Sequence, residues 1–269
     1  MRQIAVFLTF FLLFAGTATA ATKPKQYAVT TDPQALQVAQ ACFTAMGGAQ
    51  ALAAYQDSVV SGTVNIASGS SQPATSYPIR IESKGLRETR VELQKPAGKN
   101  IRIVNQGMGV IIRPNGAIKK LYSNNTFHEH VNHIPLLSVL AELGSTNINL
   151  LYKGTAQVQN QTEDVIEIDF IPNLANAAFF ASSSATLLYV NQTTQLVDKI
   201  QRASFYEGDE KHTFNEETYF SNYQSVNGVL VPYHVSVFVD GQPESDFVFT
   251  SAQLNVGLPD SDFAIPQGN

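Results

Sequence analysis

The sequence predicts an α+β chain that is mostly β: a curved antiparallel sheet of about ten or eleven strands, an incomplete half-barrel, with helices on its concave face. Three observations predict it. Hydrophobic periodicity is helical near the start of the chain and changes to a period of two from Val59 onward. The strand-like segments are joined by hairpin turn pairs such as Asn227-Gly228, so neighbours in sequence become antiparallel neighbours in the sheet. An open sheet of that many strands curls or closes, and a curled sheet holds helices in its hollow.

Residues 4–14 form an apolar run preceded by Arg2 and followed by Ala18-Thr19-Ala20. A charged start, a short apolar centre and a small-residue end mark a secretory signal peptide, and the run is shorter than the roughly 20 residues of a spanning helix. Residues 1–20 are therefore read as a signal peptide and residues 21–269 as a single domain, periplasmic or secreted after cleavage near Ala20. Asp32-Pro33 starts the first helix, the carboxylate accepting from a free first-turn amide and proline fitting the first helical position. Leu36, Ala39, Phe43 and Met46 share one face, Gly47-Gly48 ends the helix, and residues 49–55 form a second short one. Cys42 lies beside that stripe and is the sole cysteine. With no second cysteine to pair with and no basic neighbour in sequence to activate it, it reads as a buried free thiol.

Beyond Val59, Val60, Val64 and Ile66 share a strand face, followed by Tyr77, Ile79 and Ile81 and then by Val91 with Leu93. Arg113-Pro114-Asn115-Gly116 turns a further hairpin. Residues 134–144 interrupt the pattern with Leu136, Leu137, Val139, Leu140 and Leu143 behind Pro135. This is an apolar helix too short to span a bilayer; it must lie on the sheet, where it is the candidate lid. The meander resumes at Leu150 and reaches its clearest strand at residues 229–239. There Val229, Val231, Tyr233, Val235, Val237 and Val239 alternate with Pro232, His234 and Ser236, one face buried and the other wetter. Asn227-Gly228 and Asp240-Gly241 bracket it with the positive φ angles that tight hairpins need.

Lys and Arg number 17 against 22 Asp and Glu, a net charge of −5 with only 14% charged residues. Such a chain carries no electrostatic footprint for nucleic acid. His128, His130 and His133 are the one cluster with metal-ligand chemistry, but Asn132 stands where a zinc protease places its second helical histidine, and Pro135 breaks a helix through them. Gly107-Met108-Gly109 lacks a third glycine and a following helix, so it is not a dinucleotide loop. No cofactor signature is present. Glu167 and Asp169 alternate with Ile166, Ile168 and Phe170 and read as the solvated side of an amphipathic strand. Phe179 and Phe180, adjacent outside any strand pattern, cannot both be buried by simple alternation, which makes them candidates for apolar contact with a ligand or a membrane surface.

In this order the pieces resemble the LolA/LolB-like superfamily of periplasmic lipoprotein carriers and the looser group of lipoprotein-sorting-like exported proteins. The residues that carry the resemblance are Ala45-Met46-Gly47-Gly48, residues 49–55 and the strand at 59–66. Near the end they are residues 219–223, Val226-Asn227-Gly228-Val229-Leu230-Val231-Pro232, Asn255 and Pro259-Asp260-Ser261-Asp262-Phe263. The resemblance implies an incomplete barrel with covering helices around an apolar cavity that takes an acyl chain or lipoprotein-like group. None of Arg80, Arg87, Arg90, Arg102 or Arg113 can be matched to that family's gating arginine. The expected function is a non-enzymatic carrier or sensor of a hydrophobic ligand, with Leu136, Leu137, Leu140, Phe179 and Phe180 as cavity candidates. The alternatives are a metal-dependent exported enzyme using the histidine cluster and a structural partner-binding module.

Overall fold

In the computed structural model the described residues are 29–67, 74–126, 133–135, 137, 139, 143, 147–171, 183–207, 209 and 211–266. Two β-meanders make one sheet. The first runs through β1 (Asp57–Ile66), β2 (Thr75–Lys84), β3 (Glu88–Lys95), β4 (Gly98–Asn105), β5 (Met108–Ile112) and β6 (Ile118–Lys120). The second runs through β7 (Ile148–Val158), β8 (Gln161–Phe170), β9 (Thr186–Asn191), β10 (Val197–Phe205), β11 (Thr213–Val226), β12 (Val229–Val239) and β13 (Gln242–Leu254). The first strand of one meander pairs antiparallel with the last strand of the other, giving a 13-stranded sheet in the order β6-β5-β4-β3-β2-β1-β13-β12-β11-β10-β9-β8-β7. Thirteen strands replace the expected ten or eleven. One strand the periodicity did not separate is β4, where Ile101 and Ile103 alternate but Val104 is buried on the opposite face and blurs the pattern.

Irregularities let so large a sheet curl. Register shifts occur between Ser61 and Gly62, Tyr152 and Gly154, Val197 and Lys199, and Val237 and Phe238, and each bulge bends its strand and raises the local twist. Gly62 is required at its bulge, because a Cβ there would lie 2.1 Å from the Val248 carbonyl oxygen. The curl brings β6 and the short helix α3 (Ser123–Thr126) back to the end of β10. Asn125 Nδ2 donates to the carbonyls of Phe205 (3.2 Å) and Tyr206 (3.3 Å), and Lys119 pairs with Glu207 at 2.5 Å. In sheet order β6 and β10 are nine places apart, about 43 Å in a flat sheet. The two ends of the sheet, β6 and β7, are not paired with one another among the described residues.

Helix α1 (Pro33–Ala45) begins as its sequence dictates, the Asp32 carboxylate accepting from the Gln34 amide at 2.8 Å. Ala35, Val38, Ala39, Cys42 and Phe43 face the sheet and join Val60, Leu150, Ile166, Leu188, Val231 and others in one core. Cys42 is a buried free thiol, and burial pushes its pKa up to about 12. The helix is fixed at both ends. Asp32 donates its amide to Leu150 at 2.7 Å, while the Met46 carbonyl accepts from Leu230 at 2.9 Å. Gly47, at φ +130°, separates α1 from α2 (Gly48–Ala53), and a Cβ there would stand 2.2 Å from the Gly228 carbonyl oxygen. Asn227 and Gly228 (φ 51° and 84°) and Asp240 and Gly241 (φ 49° and 75°) form the expected turns around β12. Of the helix expected at 134–144, Leu137 and Val139 are helical and buried, and Ile134 is buried in the bend that precedes them.

The C-terminal tail covers the other face. Asp57, 3% exposed, accepts amide hydrogens from Val256, Gly257 and Leu258 at 2.7, 3.0 and 3.1 Å. The following 3-10 turn (Asp260–Phe263) buries Phe263 against Val59 and Leu258 in a second small core. One carboxylate departs from expectation on this face. Asp169 is 5% exposed rather than solvated and accepts from Asn149 at 2.9 Å. Asn149 in turn accepts the Thr30 amide at 2.9 Å, where the chain entering α1 runs parallel beside the edge of β7 and Thr31 bridges Leu150.

Candidate functional site

The apolar face of the sheet encloses a cavity of 310 Å³, at the lower end of the roughly 300–1,000 Å³ range of ligand sites. Ile81 on β2 and Val91 on β3 line it together with Ile200 on β10. Six places separate β3 from β10 in sheet order, about 29 Å if the sheet were flat. Their shared lining makes the apolar face the concave one. Phe220, Val235, Val237, Phe247 and Phe249 from β11, β12 and β13 complete an apolar wall. These residues arrive there by simple alternation, since Phe220 pairs with Val235 and Val235 with Phe247 in register.

Polar groups sit only at the two ends. At the deep end His133 is 5% exposed, and its Nε2 shares a 2.7 Å hydrogen bond with the Ser58 hydroxyl. Ser58, fully buried, shares a second bond of 2.9 Å with the Tyr55 hydroxyl. Burial pushes the His133 imidazole down to about pKa 4, so it is neutral near pH 7. Among the described residues no carboxylate bonds to this ring. The Tyr55–Ser58–His133 chain is thus a polar clasp that satisfies the buried Ser58 and His133 and the half-buried Tyr55 while tying residue 133 to β1.

The other end opens to solvent. Arg202 on β10 lies opposite Glu216 on β11 in register, and the guanidinium donates from Nε at 2.8 Å and pairs through Nη2 at 2.7 Å with the same carboxylate oxygen. Both side chains are 18% exposed. Thr218 and Ser245 stand one row deeper, both opposite Val237 on β12, and exposed Glu244 completes the rim. An apolar bore with an ion pair and a second carboxylate at its mouth can hold an alkyl chain and meet a polar head at the opening.

The residues singled out in the sequence divide unevenly. Leu137 is 4% exposed and packs in the main core, while the cavity lining comes from strands and His133. Leu136, Leu140, Phe179 and Phe180 lie outside the described residues, as do His128 and His130. Among the described residues no three His, Cys, Asp or Glu side chains gather as a metal site. Periodicity alone did not point to Arg202, Glu216 or Glu244. The available signal was a charged residue on the apolar side of an alternating strand, as Arg202 is two residues after Ile200.

No protein-family model matches the chain, and no curated protein matches it. Solved structures do. A domain of an outer membrane lipoprotein-sorting protein from Vibrio parahaemolyticus is 11% identical, with TM-score 0.55 over 85% of this chain and 95% of that one. A DUF1329 family protein from Desulfovibrio piger is 12% identical, with TM-score 0.56 over 86% and 97%. A LolA superfamily protein from Nitrosomonas europaea is 14% identical, with TM-score 0.55 over 84% and 97%. At such identities the agreement is one of fold, and it extends over nearly the whole of each relative: the chain has a LolA-like fold.

Proposed function

We propose that this chain is an exported, non-enzymatic carrier or sensor that holds one hydrophobic ligand, an acyl chain or lipoprotein-like group, in the hollow of its sheet. The observation that carries this reading is the cavity, walled by apolar side chains from six strands and polar only at its ends. The similarity in fold to a lipoprotein-sorting domain and to a LolA superfamily protein supports it. Among the described residues no helix is long and apolar enough to cross a membrane; residues 1–20 serve as a signal peptide in this reading, and residues 21–269 act as one domain. In this reading Leu136, Leu140, Phe179 and Phe180 are candidates for apolar contact with the ligand, and Leu137 anchors its segment in the main core.

Binding would come from removing the chain from water, worth about 0.8 kcal/mol per buried CH₂. The test is native mass spectrometry and lipid extraction of the purified protein, with uptake of the neutral dye N-phenylnaphthylamine as a second readout. Copurified lipid and saturable dye uptake are expected. Val237→Asp, which sets an unpaired carboxylate in the bore, should weaken uptake at least tenfold while circular dichroism shows the fold retained. Absence of both lipid and dye uptake in the folded protein would remove the carrier reading.

A further inference from the structure

The mouth of the cavity carries a charge pattern that selects among amphiphiles. Resting on the carrier reading, we propose that the ligand is a single-chain amphiphile with a neutral or cationic head, hydroxyl- or amine-bearing, and that free fatty-acid anions are discriminated against.

Four observations lead there. The bore is apolar along its length, with Ile81, Phe220, Val235 and Phe249 in its wall, and at 310 Å³ it suits one chain. Its deep end is closed by His133, uncharged and tied to Ser58, so a charged head has no partner there and must stay at the mouth. At the mouth the positive charge of Arg202 is already engaged, Nε and Nη2 both on Glu216. A carboxylate ligand would have to share the guanidinium with Glu216, against the charge of that carboxylate, or displace it. Displacement would leave a mostly buried carboxylate unpaired, a costly outcome. Glu244, exposed on the same rim and without a basic partner among the described residues, adds an uncompensated negative charge. Arg202, Glu216 and Glu244 together carry one net negative charge, and an anionic head would dock against it. A hydroxyl or ammonium head meets the reverse situation, with acceptors at Glu244 and Glu216 and the hydroxyls of Thr218 and Ser245 in the row below.

The test uses the mature chain loaded with N-phenylnaphthylamine, displaced by dodecanol, dodecylamine and dodecanoate below their micelle concentrations, at pH 7.5 and low salt. Dodecanol and dodecylamine should displace the dye at concentrations at least tenfold lower than dodecanoate. Glu244→Gln, on an exposed residue that the fold does not need, should narrow the gap between amine and carboxylate severalfold, and 0.5 M salt should narrow it in the parent. Dodecanoate displacing as well as dodecanol would overturn the head-group assignment while leaving the carrier reading intact. Equal displacement by all three, unchanged by Glu244→Gln, would equally overturn it, since chain burial alone would then account for binding. Failure of the dye to bind at all would instead remove the carrier reading itself.

Discussion

The two faces of this sheet spend their charged residues in opposite ways. On the convex face, charges pair both along single strands and across neighbouring ones. Arg80 pairs with Glu82 (2.7 Å), Arg90 with Glu92 (2.6 Å) and more distantly Glu82 (3.8 Å), and Lys99 with Glu92 (2.6 Å), a ladder over β2, β3 and β4. Across the join, Lys199 pairs with Glu217 and lies over the Tyr189 and Tyr219 rings at 4.8 and 5.4 Å, and His234 meets Asp246 at 2.7 Å. On the concave face, the lining holds a single ion pair, Arg202 with Glu216, and it stands at the mouth. The cross-strand pairs follow from antiparallel register, which sets alternate residues of adjacent strands side by side. Each exposed pair is worth little. The inner face relies on apolar burial. The Arg202–Glu216 pair at its mouth is therefore the place where the proposed ligand would meet charge.

That contrast predicts unequal costs. The largest loss is expected on the inner side: Phe43→Ala, a buried ring where α1 meets the sheet, should cost about 3–5 kcal/mol in denaturant unfolding. The middle case is Glu163, a fully buried residue at the start of β8 whose carboxyl burial, and then the negative charge of Asp198, push up to about pKa 7. Asn191 donates to both carboxylates, at 3.3 Å to Glu163 and 2.9 Å to Asp198. A carboxyl whose pKa is raised in the folded state binds its proton more tightly there than when unfolded. Its contribution is thus most favourable below about pH 4.5 and is lost as pH rises through about 7. Glu163→Gln should therefore stabilise the chain by about 1 kcal/mol at pH 8 and by nothing at pH 4, as thermal melts at the two values will show. The smallest effect is expected from Lys99→Ala on the outer ladder, below about 1 kcal/mol and vanishing in high salt. If Lys99→Ala cost as much as Phe43→Ala, the division of labour between the faces would be wrong.

Much of the fold was legible because it is written locally. Asn227-Gly228 and Asp240-Gly241 announce their turns by the residues needed at positive φ, Asp32 caps the helix it precedes, and the valines of β12 declare their buried face by alternation. The site was legible only as an apolar hollow. Ser58 and His133 are 75 residues apart, and nothing in either neighbourhood predicts their meeting. Arg202 and Glu216 become partners only once β10 and β11 are set in register. Asp169 looked wet because its strand was read alone; Asn149, which donates to it, stands on the neighbouring strand β7, 20 residues away.

The pairing of β1 with β13 also has a temporal side. Asp57 and Leu258 are bonded across a sequence separation of 201 residues, so this seam cannot form until nearly the whole chain is available. Contacts of such long range are slow to close and are the last to be rewarded. Ile81 and Val91 stand on one side of the seam, the remaining strand residues of the cavity wall on the other. Each meander can therefore order its own hairpins early, yet neither walls the cavity alone. Capacity to take up a ligand should appear in a single late step, which makes occupancy of the hollow a report on completed folding.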